Sequence, residues 1–511
     1  MTKPESGSTS GITVVANWRD SSHREAGGAE QYCEQVAKRL VDRGHRVVLL
    51  SASVEGCPPR EIVDGYEKVR GGGKFGVYLH ALVWMARNRR HISAVVDSQN
   101  GIPFFSPLVV GKRTPAVLLL HHVHQRQFSS YFSPFVARVG RWLEGPASRR
   151  VYGRRSVVAV SPSTRAGARR VLKLQGPIYV APPGFLPGVR PVTSSSAGTS
   201  GNGGTAGAPT VRSRQRSEHP TIAAVGRMVP HKRFELAVEA MAVVAASHPD
   251  AELHLVGDGP QRQAVEELAS KVNARIVFHG AISDMERDDV VGRAWLGVNC
   301  SAGEGWGISV IEANYLGLPV VGFDVPGLRD SIRDGDTGWL VPEDGSLALC
   351  IVEAVSQLRS QQVADTWSSR TSAWAARTNW DLTADIIDGV LTAERDRLER
   401  DNRRRHTDLG THVHVPDAVV PSGWEPALRR TDRSFVGSRG VSILLQGTDL
   451  TDAGKALRRI GLPVDNDSSP DSRIELRVAR YADQIHPGGW GDSPRTNSTG
   501  ILRVVGSDAG S

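Results

Sequence analysis

Hydrophobic and polar positions change rhythm along the chain in a repeating way. Continuous apolar runs such as "GITVVAN" at 11–17, Arg46–Leu50, "ISAVVDSQN", "TPAVLLLHH" and "RSVVAVSPS" each run into a polar or glycine-rich loop. Between the first two, Val36, Leu40 and Val41 recur at helical spacing. Apolar strands alternating with helices predict a mostly parallel sheet covered on both faces, hence an α/β fold. Ligands in such sheets sit at the carboxyl ends of the strands, the edge where Asp97, His121 and Ser161 fall. This first region spans 11–190.

The rhythm stops at "PVTSSSAGTSGNGGTAGAPTVRSRQRSEHP", which cannot bury a core and reads as a flexible Gly/Ser-rich linker or insertion over 191–218. It then restarts. "TIAAVGRMV" is a strand and turn, "KRFELAVEAMAVVAASH" a helix, "AELHLVGDG" a strand, and the alternation continues through "WLGVNCSA" and "PVVGFDV". A second doubly wound domain is therefore expected over 219–375, followed by a closing helix or helix pair to residue 400. Residues 401–511 change character. Polar, punctuated segments surround three candidate strands, "GVSILLQG", "RIELRVARY" and "ILRVVG", and suggest an accessory region of unknown role.

A length of 511 residues agrees with two or three domains. Without a continuous apolar 18-mer, no transmembrane helix is expected. The opening "MTKPESGSTSGITVVANW" lacks a basic segment leading into an apolar run, so no signal peptide is expected and the cytoplasm is the default compartment. Four scattered cysteines without a CxxC spacing argue against a zinc or disulfide framework. The net charge of +8 suits nucleic acid, an anionic membrane or a phosphorylated small molecule alike. Much of the local excess lies in "ARVGRWLEGPASRRVYGRR", residues 137–155, where arginines alternate with Val139, Trp142, Leu143 and Tyr152. That pattern fits a peripheral contact with anionic lipid at the inner face of a membrane, and equally a solvated arginine-rich face. Nucleic acid is not an expected partner.

The candidate chemistry centres on "SAGEGWGISVIEANYLGLPVV", residues 301–321. Glu304 lies in a loop at the ligand-binding edge. Gly305 and Gly307 let backbone amides approach a ligand, and a helix beginning near Ile308 offers unpaired N–H groups to an anion such as a diphosphate. Glu312, about a turn further in, is placed to accept hydrogen bonds from a diol such as ribose; alone, it reads equally well as a solvent-facing helix residue. In "VGRMVPHKR", Arg227 and Lys232 can neutralise phosphate. "VGDGP", with Gly257 and Asp258, is a further glycine turn after a strand.

In this order the motifs resemble retaining glycosyltransferases of the GT-B fold, in the family 4 (glycosyl transferases group 1) set. "EGWGISVIE", Gly226-Arg227 with His231-Lys232, "VGDGP", "GLPVVGFDVPGLRDSI" and "GGAE" at 27–30 carry the resemblance, over roughly 11–395. It implies two Rossmann-like domains facing a cleft, an acceptor-binding one at 11–190 and a nucleotide-sugar-binding one at 219–375. By the same resemblance, Arg227 and Lys232 would contact the diphosphate, Glu304 the sugar hydroxyls, and Glu312 the ribose. Gly27, Gly28, Gly226, Gly257, Asp258, Gly305, Trp306 and Gly307 would complete the donor site. His121 is the preferred active-site histidine over His122 and His124, and Asp97, Asn100, Ser161 and Ser163 are candidates to face the acceptor. The donor would be GDP-mannose, making a mannosyltransferase, or a UDP-hexose. The acceptor would be a glycan, a lipid-linked species or a small molecule, and no metal or tightly bound cofactor is expected. An epimerase or hydrolase of the same fold, or a non-catalytic sugar-nucleotide-binding module, are the alternatives.

Overall fold

Residues Ile12–Ala16 (β1) are buried at every position, as are most of Arg46–Ser51 (β2) and Ile92–Asn100 (β5). Strands covered on both faces need apolar side chains in both directions, which is why they appear in sequence as unbroken runs. The computed structural model describes residues 11–125, 127–185 and 216–399, with shorter stretches between 410 and 479. The linker over 191–215 and "ILRVVG" lie outside the described residues. Arg216 and Ser217, at the end of the expected linker, are seated in the second domain: the Arg216 guanidinium stacks 3.8 Å from the Trp295 ring centroid and donates to Leu358 O.

The first sheet adds Arg60–Val63 (β3), Tyr66–Arg70 (β4), Ala116–His122 (β6), Val157–Ala159 (β7) and Ile178–Val180 (β8), in the order β3-β4-β2-β1-β5-β6-β7-β8. All neighbours are parallel except β3 and β4, an edge hairpin that the apolar pattern does not reveal. Its turn is Asp64-Gly65, with φ of 48° and 83°, the left-handed pair that matches a two-residue loop to strand twist.

The second sheet consists of Thr221–Val225 (β9), Glu252–Val256 (β10), Arg275–Gly280 (β11), Leu296–Asn299 (β12), Val320–Phe323 (β13) and Gly338–Val341 (β14). It is wholly parallel in the order β11-β10-β9-β12-β13-β14. Strand order reverses between β9 and β12, and a crevice for a ligand opens at the carboxyl ends of strands at such a reversal. The loops leaving those two ends carry Gly226-Arg227 and Glu304.

After helix Gln361–Ala375, helix Trp380–Glu399 returns to the first domain. Its Trp380, Ile386, Ile387 and Val390 share a core with Val36 and Leu40 of helix Gly28–Asp42. Arg43 pairs with Asp385 at 2.6 Å and His45 with Asp388 at 3.1 Å along the same contact.

The C-terminal region forms a third sheet, antiparallel, of Thr411–Val415 (β15), Arg433–Gly437 (β16), Gly440–Leu445 (β17) and Glu475–Val478 (β18), ordered β16-β17-β15-β18. Two of these, β15 and β16, were not among the candidate strands. The sheet is docked on the first domain. The Gln446 amide accepts from Val180 N at 2.9 Å and donates to Val180 O at 3.4 Å, and Arg430 pairs with Asp388. Among the described residues no helix is long and apolar enough to cross a membrane.

Candidate active site

Two loops leave the second sheet where its order reverses, and a third packs beneath them. Gly226 N donates to Val256 O at 3.0 Å and Met228 N to Asp258 O at 2.9 Å. A Cβ on Gly257 would come within 2.0 Å of Gly226 O, and one on Gly259 within 2.4 Å of Met228 O. The glycines of "VGDGP" are thus required by the approach of two backbones. Asp258 is spent locally, accepting from Gly259 N at 2.6 Å and pairing with Arg262 at 3.3 Å.

The β9 loop closes with a single turn at Pro230–Lys232, after which Arg233 takes φ 50°. That left-handed backbone is held by its guanidinium, which donates to Cys300 O at 2.7 Å and Ser301 O at 3.1 Å in the β12 loop. The tie delivers Lys232 to Glu304. Their side chains form an ion pair, and Ser301 Oγ donates to the same carboxylate oxygen at 2.7 Å. Burial alone pushes the Glu304 carboxyl up; the Lys232 charge and hydrogen bond, aided by Ser301, outweigh it and hold Glu304 below the usual carboxylate range. Burial first, and then the Lys232 charge, lower the His231 imidazole to about 4. At neutral pH this wall therefore presents two cations, Arg227 and Lys232, one ionised carboxylate, and a neutral ring.

Helix Ile308–Tyr315 starts after Gly307, whose φ of 103° suits glycine alone at that cap. Glu312 lies one turn in. Burial raises its carboxyl, opposed by the Arg287 charge, so the two acids of the motif have opposite electrostatic settings.

The first domain meets these loops directly. A Cβ on Gly28 would fall 2.7 Å from Ile308 Cδ1, and one on Gly305 would fall 2.2 Å from His121 O. Thr164 Oγ1 donates to Gly305 O at 3.3 Å, and Arg227 Nη1 donates to Glu25 O at 3.1 Å. Gly27 caps helix Gly28–Asp42, its N–H donating to Glu30 at 2.8 Å, and Glu30 is fixed by Arg19 at 3.2 Å. The glycine loop is therefore rigid and lies against the start of the Ile308 helix.

The two histidines that end β6 face different ways. Side chains alternate across β6, so His121 and His122 point to opposite faces. His121 turns into the first domain, its Nε2 3.0 Å from Ser98 Oγ and its ring edge-on to Tyr32 at 5.3 Å between centroids. His122 turns to the seam, where Glu304 and His231 both act on its ring and its Nε2 lies 3.1 Å from Gln127 Nε2. Burial lowers both rings to about 3, so both are neutral at physiological pH. His122, the backbone carbonyl of His121 and the Thr164 hydroxyl are among the groups that the first domain presents to the Glu304 loop. His124 stands behind, its ring centroid 5.1 Å from that of His122 and its backbone N–H donating to Glu144 at 2.6 Å.

Other candidates prove to be scaffolding. Asp97 is fully buried and accepts from Phe104 N, Ser106 N and the Tyr152 hydroxyl, so it braces a loop and does not face an acceptor. Ser161 caps helix Pro162–Arg170 through Thr164 N at 3.0 Å. Trp306 packs with Ile311, Trp374 and Ala375, and its buried Nε1 has no hydrogen-bond partner among the described residues. Asn100 ends β5 half-buried. Ser163 reaches across the seam: its N–H donates to Asp330 at 3.2 Å. Asp330, Ser301 and Arg233 escape the sequence reading. Asp330 is buried between the domains, and desolvation lifts its carboxyl to about 6 against the serine hydrogen bonds. Among the described residues no group of His, Cys, Asp and Glu is arranged to hold a metal ion.

Comparison with known proteins places both domains. Residues 26–185 match the family described as Glycosyltransferase Family 4, and 219–360 match Glycosyl transferases group 1. The chain is 26% identical to D-inositol 3-phosphate glycosyltransferase of Acidothermus cellulolyticus, over 73% of this chain and 86% of that protein. It is 27% identical to an exopolysaccharide phosphotransferase of Streptomyces coelicolor over 58% of its own length, a match spanning only 37% of the relative. In fold it is similar to sucrose-phosphate synthase from Thermosynechococcus elongatus, with a TM-score of 0.58 at 19% identity, covering 75% of this chain and 98% of that one.

Proposed function

The chain is a family 4 glycosyltransferase of the GT-B fold, and we propose that it moves a hexosyl group from a nucleoside-diphosphate sugar to an acceptor hydroxyl with retention of anomeric configuration. The observation that carries this reading is the placement of Arg227, the Lys232–Glu304 pair and the Ile308 helix start around the strand-order reversal, opposite the Gly27-Gly28 loop. Cationic side chains and unpaired helix N–H donors both stabilise an anionic diphosphate at such a point.

Arg227 and Lys232 would take up the charge that grows on the diphosphate as the glycosidic bond breaks. Glu304, held ionised, accepts hydrogen bonds from sugar hydroxyls, and Glu312 from the ribose. His122, neutral, can hydrogen-bond a hydroxyl without adding charge. In the same-face substitution, the bond from the anomeric carbon to the phosphate oxygen breaks and the bond to the acceptor oxygen forms on that face. The acceptor proton passes to the departing phosphate oxygen. GDP-mannose or a UDP-hexose is the proposed donor, and the acceptor a glycan, a lipid-linked species or a small molecule. The protein would work in the cytoplasm beside the inner face of a membrane, a reading that the arginines of 137–155 support.

Calorimetry across UDP-, GDP- and dTDP-sugars on wild type, Lys232→Ala and Glu312→Ala tests the site. Base-selective binding weakened in both variants is expected; no binding of any donor would overturn the transferase reading.

A further inference from the structure

Between Lys68 and Phe185 the chain carries nineteen Lys and Arg against two acids, Asp97 and Glu144. Both acids are fully buried, so what this half of the first domain shows to solvent is cationic. The same segment holds ten of the sixteen exposed large hydrophobic residues among those described, including all four exposed aromatics, Phe75, Phe132, Phe135 and Trp142.

Seven of these residues lie on two helices. Helix Gly73–Asn88 buries Val77, Ala81 and Met85 on the sheet, while Phe75, Leu79 and Val83 form the opposite stripe, Phe75 at 70% and Leu79 at 68% exposure. Helix Pro134–Trp142 buries Ala137 and Gly140 and leaves Phe135, Val136, Val139 and Trp142 outward. The loop between β5 and β6 runs from the first helix, where Tyr78 packs on Phe104 at 4.9 Å, to helix Ser148–Tyr152, which follows the second helix in the chain and whose Tyr152 lies 6.4 Å from Phe105. Leu108, exposed, sits in the turn between. Lys74, Arg87, Arg89, Arg90, Arg138 and Arg149 are exposed around these stripes. Of the 137–155 candidates, Tyr152 is buried, so the apolar stripe runs through 132–142 instead.

We infer that this two-helix face docks on an anionic lipid bilayer, its aromatic and aliphatic side chains entering the headgroup region and its cations pairing with lipid phosphates. Apolar side chains are costly in water when contiguous, and cations ringing them favour an anionic interface over a second, equally cationic copy of the chain. The inference deepens the membrane contact in the reading above and does not depend on sugar transfer.

Flotation of the full chain with vesicles of phosphatidylcholine, with and without phosphatidylglycerol, tests it. We expect the protein to float with the anionic vesicles, weakly at high salt, and not with phosphatidylcholine alone. The pair Phe75→Ser with Leu79→Ser, and the pair Phe135→Ser with Trp142→Ser, should each lower vesicle affinity by about tenfold while donor binding is unchanged. Absence of flotation with wild type, flotation unaffected by both pairs, or a dimer that these substitutions dissociate would overturn the proposal. Lost flotation with donor binding intact removes only the membrane surface; lost donor binding with flotation intact removes only the transferase reading.

Discussion

The two Rossmann-like domains follow the same strand-order rule but place their charges differently. In the second, the working charges point into the seam: Arg227 donates to a first-domain carbonyl and Lys232 is locked on Glu304. The first domain offers the seam a glycine loop, a backbone carbonyl and the neutral His122 imidazole, and apart from the buried Arg19, Lys68 and Arg70 it carries most of its cations away from the seam. The topology sets where a crevice opens, and on the proposed mechanism the distribution of charge assigns the chemistry to the second domain and positioning to the first.

The sharpest way to break that contrast is to remove one inward charge. Lys232→Ala should lower kcat/KM by about 10²- to 10³-fold, whereas Ser98→Ala, beside His121 in the first domain, should cost less than about tenfold. Steady-state rates with the preferred donor decide it, and comparable losses would erase the division of labour. The next effect is on stability. The Asp330 carboxyl is raised from the ordinary aspartate value of 3.8 to about 6, so the folded state binds a proton that the unfolded state releases. Its contribution is therefore greatest below about pH 4, declines as pH rises through about 6, and is flat above, a total of up to about 3 kcal/mol. Asp330→Asn should flatten that slope in thermal melts taken between those limits. Gly305→Val puts a Cβ into the His121 carbonyl; the seam must then open, at a cost of about 10²-fold in kcat/KM, visible also as a larger radius in small-angle scattering. Smallest is Ser283→Ala, which removes a helix cap on Glu286 N wholly within the second domain. A loss of about 1 kcal/mol with unchanged kinetics would show that the domain's scaffold and its chemistry are separable.

The parallel strands were legible because burial on both faces writes them as unbroken apolar runs, and "EGWGISVIE" was legible because its glycines and acids are close in sequence. The β3–β4 hairpin is signalled by Asp64-Gly65, a turn pair that leaves no trace in the pattern of apolar runs. "THVHV" likewise alternates with the two-residue period of a half-buried strand, now β15. His121 and His122 could not be told apart, since which of two adjacent residues faces the crevice depends on where the β6 pleat stands when the strand ends. Asp330 was beyond reach for another reason: its partner Ser163 is 167 residues away, and nothing local to either residue encodes the meeting.

The Gln446 contact on Val180 has a consequence for any shortened form of the chain. β8 is the last strand of the first sheet, and the Gln446 amide occupies the donor and acceptor of its final residue, Val180, as a neighbouring strand would. A chain ending at residue 399 would keep both Rossmann-like domains yet bare that border, an adhesive template on which other molecules could zip strand to strand. The C-terminal sheet acts there as a selvedge, the finished border that keeps a woven cloth from unravelling or catching on the next.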